Sequence, residues 1–371
     1  MLNQEGIIKL EDFFRNRYQY EYTDKESLAQ EPFIEYEGFG ATAVCWISDG
    51  ENRYLFKEIE EGSYTWLSEI LSAEIAKILE IPCAEYKLVT LEGKLGILSK
   101  NFIKENETLL LGAQIVQEVL NKYPYLKAKN PFEDDTFLEN YNVPEFIPKL
   151  DLKNRVKYLH NNLNNLEQLW SILSIYCDLH HIPKDNVEPI MDQLKQTFFF
   201  DLLTFQADRH ITNWGILREE NKIKPSILFD SAGSFGLASK DLEKRIDTFN
   251  DKLDSYNRVG HDIAKQEFIN ILYKDRLLLT PSEDAITNPK NRKRQNNLEV
   301  LDYFLNVSTN EDIEILNSYI TKLQAIGIKN ILDSVLNKYH LTIDEKVHGF
   351  ICQSCEWNYH FLTEKIHQKR R

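Results

Sequence analysis

The sequence predicts an α+β chain of two lobes, a small antiparallel β-rich lobe followed by a larger, mainly helical one. Three observations carry this. Residues 33–103 alternate in the manner of paired strands and hold one helical segment. After Phe102 the strand pattern largely gives way to helical periodicity. It returns only at Trp214–Leu217 and Ser226–Phe229, beside three polar residues, Asp208, Asn213 and Asp230, each next to an apolar run. The boundary is placed at Phe102, with residues 1–102 as the small lobe and 103–371 as the large one. A cleft between such lobes is a default place for a ligand.

Residues 1–30 read as a short helical or irregular lead-in. The apolar run Ala43–Ile47, the Asp49-Gly50 pair and the return run Arg53–Lys57 form a hairpin signal. Gly38-Phe39-Gly40 precedes it. Two glycines allow backbone N–H groups to approach a phosphate closely, although the same turn also serves a plain hairpin. Lys57 ends the strand YLFK, either pointing inward as a fixed charge for a phosphate or facing solvent.

Next comes a helix, SYTWLSEILSAEIAKILEI, with Leu67, Ile70, Leu71, Ile75, Ile78 and Leu79 at helical spacing. On a helical wheel Glu69 falls opposite the apolar stripe. Glu74 falls at the stripe's edge, an unusual place for a carboxylate that suggests a buried cationic partner. Pro82 stops the helix. AEYKLVTL and KLGILSKNF read as two more strands around a Glu-Gly turn, leading to a connector near Leu98–Phe102. Residues 108–121, 163–182 and 187–205 read as helical or ambiguous apolar segments, and 122–150 as a loop-rich insertion. From Asp241 onward the chain is mostly helical, with turns at PSEDAITNPKN and near Leu341. No internal repeat is visible.

Composition narrows the function classes. The 371 residues carry 58 acidic against 44 basic side chains, a net charge of −14. That disfavours a general nucleic-acid binder, which needs clustered Lys and Arg for phosphates. The one basic cluster, Lys290, Arg292, Lys293 and Arg294, reads as a solvated loop. No run of about 18 or more apolar residues could span a bilayer, and MLNQEGIIKLEDFF has no secretory pattern. Five scattered cysteines suit a reducing cytosol better than a disulfide scaffold. The expected location is cytoplasmic, or a host cell for a delivered effector.

Phosphoryl transfer needs a phosphate cradle, a positive charge, one or two Mg²⁺ ions and a carboxylate beside the attacking hydroxyl. Each part has a candidate. Gly38, Gly40 and Thr42 lie in the cradle, and Lys57 meets the phosphates. Asp208 orients or deprotonates the hydroxyl, and Asn213 and Asp230 are hard oxygen ligands for Mg²⁺. An Asp-x4-Asn loop can put a base and a metal ligand on the same side of one bend.

These residues resemble a known family. ADRHITNWGIL followed by ILFDSAG is similar to the catalytic segment of HipA-like Ser/Thr kinases and, more distantly, of phosphatidylinositol kinase-like enzymes. SEILSAEIAKILEIP, the strand pair and SKNF resemble the helix and hinge of the same family. The resemblance covers residues 33–103 and 198–240. It implies a bilobal protein-kinase-like fold and an ATP- and Mg²⁺-dependent transfer to a protein Ser/Thr hydroxyl, with a protein substrate as partner. A lipid or small-molecule acceptor, or a non-catalytic ATP-binding regulator, are the alternatives. It also implies that Lys57 is the nucleotide lysine and that the backbone of Lys100, Asn101 and Phe102 holds the adenine. His210 would brace the catalytic loop. The resemblance puts the lysine-pairing acid at Glu69, while the wheel favours Glu74. There are departures: the chain starts close to its glycine loop, Thr42 is the loop's only hydroxyl, and Ser231 follows Asp230 where protein kinases carry Phe. Outside this constellation, His348, Cys352, Cys355 and His360 could be read as a zinc set, but buried helical cysteines fit better. His180-His181 fits a helix C-terminus better than a metal pair.

Overall fold

The computed structural model describes residues 8–9, 19–22, 44–48, 52–91, 93–112, 114–115, 118–119, 166–206, 209, 213–239, 241–259, 305 and 308–369. The N-terminal part is a six-stranded sheet in the order β1-β5-β6-β4-β3-β2. Its strands are β1 (Ile8–Lys9), β2 (Gln19–Tyr22), β3 (Val44–Ser48), β4 (Arg53–Glu58), β5 (Tyr86–Leu91) and β6 (Lys94–Lys100). The pairs run antiparallel, except that β1 lies parallel to β5. Both predicted hairpins form. Ser48 pairs with Arg53 across the first, and Leu91 with Lys94 across the second, where Gly93 takes φ 78°. Glycine adopts that conformation at no steric cost.

One helix, α1 (Thr65–Ile78), packs on β5. The helical part follows: α2 (Leu166–Leu179), α3 (Val187–Thr204), α4 (Leu242–Val259), α5 (Asn310–Ile326), α6 (Ile328–Lys338) and α7 (Glu345–Lys369). A second sheet, β7-β8-β9, is inserted into it: β7 (Thr108–Leu111), β8 (Gly215–Glu219) and β9 (Lys222–Pro225). This is the α+β layout expected from the sequence, a β-rich N-terminal part followed by a mainly helical one. The main core runs from Trp66 and Leu67 of α1 through Phe198 and Phe200 of α3 to Ile366 of α7. A smaller cluster of Ile47, Phe56, Val89, Leu91 and Leu98 covers the other face of the first sheet. Among the described residues no helix is long and apolar enough to cross a membrane.

Three local readings are corrected. The lead-in contains two strands, because β1 and β2 add to the sheet's two edges. The segment from 108 begins as a strand: TLLL is a short apolar run that periodicity alone cannot assign, and pairing with β8 decides it. The predicted strand Ser226–Phe229 is displaced. β9 ends at Pro225, which has no N–H for a ladder. Leu228 instead makes an isolated bridge, donating to the Pro82 carbonyl at 2.8 Å and accepting from Ala84 at 2.8 Å. The 122–150 insertion, the PSEDAITNPKN turn and the basic cluster at 290–294 lie outside the described residues.

The β7-β8 pair allows no side chain at Gly215. A Cβ there would stand 2.5 Å from the Leu110 carbonyl oxygen. Gly215→Ala is therefore expected to lower the unfolding free energy by about 1–3 kcal/mol, read as a reduced midpoint in urea. An unchanged midpoint would contradict this close approach.

Candidate active site

Side-chain alternation along β4 explains where Lys57 points. Phe56 enters the smaller cluster, so Lys57 faces the opposite side of the sheet, toward α1. There its Nζ lies 3.8 Å from Glu69 Oε1 and 3.8 Å from Asp230 Oδ1. The Glu69 side chain is only 4% exposed, against 33% for Lys57 and 38% for Asp230. The buried glutamate thus anchors a lysine and an aspartate that open toward solvent.

Glu74 is not part of this group. It accepts from Lys338 of α6 at 3.0 Å and from Lys77 at 3.5 Å. It does have a cationic partner, but on the surface. The wheel reading failed because α1 is covered on several sides. It packs on β5, on α6 and on the short 3-10 turn Ser234–Gly236, so the side away from the apolar stripe is buried too.

Asp230 is held by its backbone. Its φ of 52° lies in the left-handed region, which Asp tolerates better than most residues. Its N–H donates to the Tyr86 hydroxyl at 3.1 Å, and its carbonyl accepts from Gln206 Nε2 at 3.2 Å. The next N–H, of Ser231, donates to Glu69 Oε2 at 2.9 Å. These bonds fix the direction of a carboxylate whose own oxygens stay accessible. Such a carboxylate fits a hard cation, which takes oxygen ligands.

Burial pushes the Glu69 carboxyl from 4.5 to about 7, the charge of Asp230 adds to the rise, and Lys57 opposes it. Burial likewise pushes the Tyr86 phenol well up, with Glu69 and Asp230 adding to it.

The other side of the site is braced by Arg209, in the motif after Asp208. Its Nη1 donates to the carbonyls of Asn213 at 2.8 Å and Phe229 at 2.6 Å. Its Nε and Nη2 reach the Asp201 carboxylate at 3.0 Å. Burial pushes the Asp201 carboxyl up while Arg209 pulls it down. The guanidinium keeps its charge, its own loss to burial being outweighed by Asp201, and it meets the carboxyl in ion-pair geometry, with Nη2 3.0 Å from Oδ1.

Asn213 is buried, 6% exposed. Lys100 ends β6 opposite Tyr54, and Asn101 donates to the Arg53 carbonyl at 2.8 Å. The Phe102 ring stacks on Phe229, centroids 6.1 Å apart, so the connector lies directly against the residue before Asp230. Gly38, Gly40, Thr42, Asp208 and His210 lie outside the described residues. The structure therefore brings together Lys57, Glu69 and Asp230, with Asn213 joined to them through Arg209 and Phe102 through Phe229.

Sequence reasoning missed Asp201, Gln206 and Tyr86, and assigned no role to Arg209. One signal was available: Asp201 interrupts FFFDLL, and a carboxylate inside an apolar helical run calls for a buried cation. Two phenylalanines were also missed. Phe205 and Phe235 both take positive φ, 39° and 58°, which is costly for a bulky residue. They are fully buried and meet edge to face at 5.9 Å, locking the end of α3 to the segment after Asp230. Ser68 Oγ donates to the Ser234 carbonyl at 2.9 Å in the same place.

Among the described residues, no three His, Cys, Asp or Glu side chains are gathered for a metal. Cys352 and Cys355 are buried on α7, and burial pushes the Cys352 thiol up to about 11, which disfavours the thiolate that zinc requires. His348 is engaged with Asp333 at 2.7 Å. His180 sits just past α2, bonded to Glu118 at 2.6 Å and packed on Tyr176. Cys83, Cys177, Cys352 and Cys355 are free thiols.

No protein-family model matches the chain, and no curated protein sequence does. Among solved structures it is similar to the Helicobacter pylori proinflammatory kinase CtkA, at 17% identity and a TM-score of 0.49, covering 90% of this chain and 94% of that one. It is also similar to a chain of the Shewanella oneidensis MR-1 toxin–antitoxin complex of HipA, HipB and operator DNA. There the identity is 14% and the TM-score 0.45, over 93% of this chain and 72% of that one. At these identities and scores neither likeness carries chemistry to this chain.

The raised Glu69 value has a testable sign. Between about pH 4.5 and about pH 7 the folded protein holds more protons at Glu69 than the unfolded chain does, so stability falls as pH rises through that window. In Glu69→Gln that contribution is gone. The variant's unfolding free energy relative to wild type should therefore improve from about pH 5 to about pH 8. A pH-independent difference would contradict the assignment.

Proposed function

We propose that this protein is an ATP- and Mg²⁺-dependent kinase that transfers the γ-phosphate to a Ser/Thr hydroxyl of a protein. The observation that carries the reading is the Lys57–Glu69–Asp230 group. It comprises a strand lysine aligned by a buried helical glutamate, 3.8 Å from a carboxylate open to solvent. An ion pair built only for stability gains little from leaving two of its three members open to water. A site for a polyphosphate and its cation requires them to be open.

In this reading Lys57 meets the phosphates, and Glu69 holds Lys57 in place. Gly38, Gly40 and Thr42 form the turn over the phosphates. The backbone of Lys100–Phe102, at the division between the lobes, holds the adenine, and Phe102 braces that connector against Phe229. Asp230 and Asn213 are the oxygen ligands of the cation. When bound, Mg²⁺ neutralises the charge that develops on the transferred group. Asp208 accepts the proton of, or orients, the attacking hydroxyl, and His210 braces the loop that carries it. Lys57 and Asp230 lie 3.8 Å apart, so each would hold one partner of a nucleotide–cation pair, Lys57 the phosphates and Asp230 the cation. The free thiols suit a reducing compartment, the cytoplasm of the producing cell or of a host.

Asp208→Ala and Asp230→Ala should each abolish transfer of radiolabelled phosphate from ATP, a loss of about 10³-fold or more, with the circular dichroism of the fold retained. Wild-type transfer by either variant would contradict the site. Protein substrates and lipid extracts run in parallel identify the acceptor, and label in the lipid fraction alone would contradict the protein-kinase reading.

A further inference from the structure

The Asp201–Arg209 pair is among the most enclosed charged groups described: the side chains are 0% and 1% exposed. Every N–H of the guanidinium has an acceptor. Nε donates to Asp201 Oδ2 at 3.0 Å, and Nη2 to Asp201 Oδ1 at 3.0 Å and to Ser231 Oγ at 3.4 Å. Nη1 donates to the carbonyls of Asn213 at 2.8 Å and Phe229 at 2.6 Å. All five donors of the arginine fork are thus engaged. The recipients are one of the two proposed cation ligands, Asn213, and both neighbours of the other, Asp230. Asp201 orients the fork from α3 without touching either ligand.

The charges of such a pair are weak evidence for a purely structural role. Replacing a buried ion pair with apolar side chains of similar volume is often neutral or stabilising, because desolvation offsets the attraction. A planar fork, by contrast, fixes two backbone segments at one distance, which a lysine cannot do.

We infer that Arg209, oriented by Asp201, is a positioning residue that sets the spacing of Asn213 and Asp230, so that removing the pair together weakens cation binding while the protein still folds. This rests on the kinase reading given above. Neighbours that orient metal ligands typically change metal affinity about 10- to 100-fold when removed.

The test uses the full-length chain, with Mn²⁺ as a paramagnetic probe titrated in the presence of ATP and free Mn²⁺ read by electron paramagnetic resonance. Thermal unfolding is measured in parallel. The double variant Arg209→Met/Asp201→Leu should remain folded, with a cooperative thermal transition, yet bind Mn²⁺ about 10-fold or more weakly. Asp201→Asn, which leaves Arg209 in place with a weaker partner, should fall between the two in Mn²⁺ affinity. Wild-type Mn²⁺ affinity in the double variant overturns the inference while leaving the kinase reading intact. A double variant that fails to fold also overturns it, because the pair would then be holding the fold. Absence of ATP-dependent Mn²⁺ binding by the wild type overturns the kinase reading and this inference together.

Discussion

Asp230 is fixed through its backbone, and the rest of the site is arranged around that constraint. Its N–H is held by Tyr86 of β5 and its carbonyl by Gln206 beyond α3, while the following N–H is held by Glu69 of α1. Both neighbours of Asp230 also receive hydrogen bonds from Arg209. The N-terminal sheet and the helical part therefore grip one short segment from opposite sides. A residue at positive φ persists only where its surroundings determine it in this way, and the carboxylate is left with its oxygens unclaimed by the backbone network.

That grip costs the molecule something elsewhere. Glu69 sits in a buried place next to a second carboxylate, and its carboxyl is pushed up to about 7. Phe205 and Phe235 take left-handed backbone angles to bring the end of α3 against the turn after Asp230. Strain and unfavourable ionisation gathered in one place are more characteristic of a functional site than of a packing core. Elsewhere, α5 starts with a capping box in which Thr309 and Asp312 exchange hydrogen bonds.

Much of the architecture was legible in the sequence because its signals are local. The Asp49-Gly50 and Glu-Gly turns, the periodicity of α1 and the apolar runs of α2 and α3 each depend on neighbours in the chain. What was misread depends on distant partners. TLLL became a strand through β8, Ser226–Phe229 lost its place in the ladder to Pro225 and to the Pro82 segment, and β1 and β2 exist by joining sheet edges. The site followed the same division. Lys57 and Asp230 were visible as polar residues ending apolar runs, and Asn213 as one preceding such a run. Glu69 was reached through the family resemblance and not through the helical wheel, which assumes one buried face where α1 has neighbours on several. The Asp201–Arg209 link spans eight positions and turns a corner, so no periodicity reports it.

The central claim is that Lys57, Glu69 and Asp230 form one binding site for a nucleotide and its cation. Titration calorimetry of ATP into the wild-type protein, with and without Mg²⁺, addresses it most directly when repeated with Lys57→Met and Asp230→Asn. The account predicts a single site whose affinity rises with Mg²⁺, is weakened by Lys57→Met in either condition, and loses only its Mg²⁺ dependence in Asp230→Asn. ATP binding that ignores both substitutions, or no binding by the wild type, would contradict it.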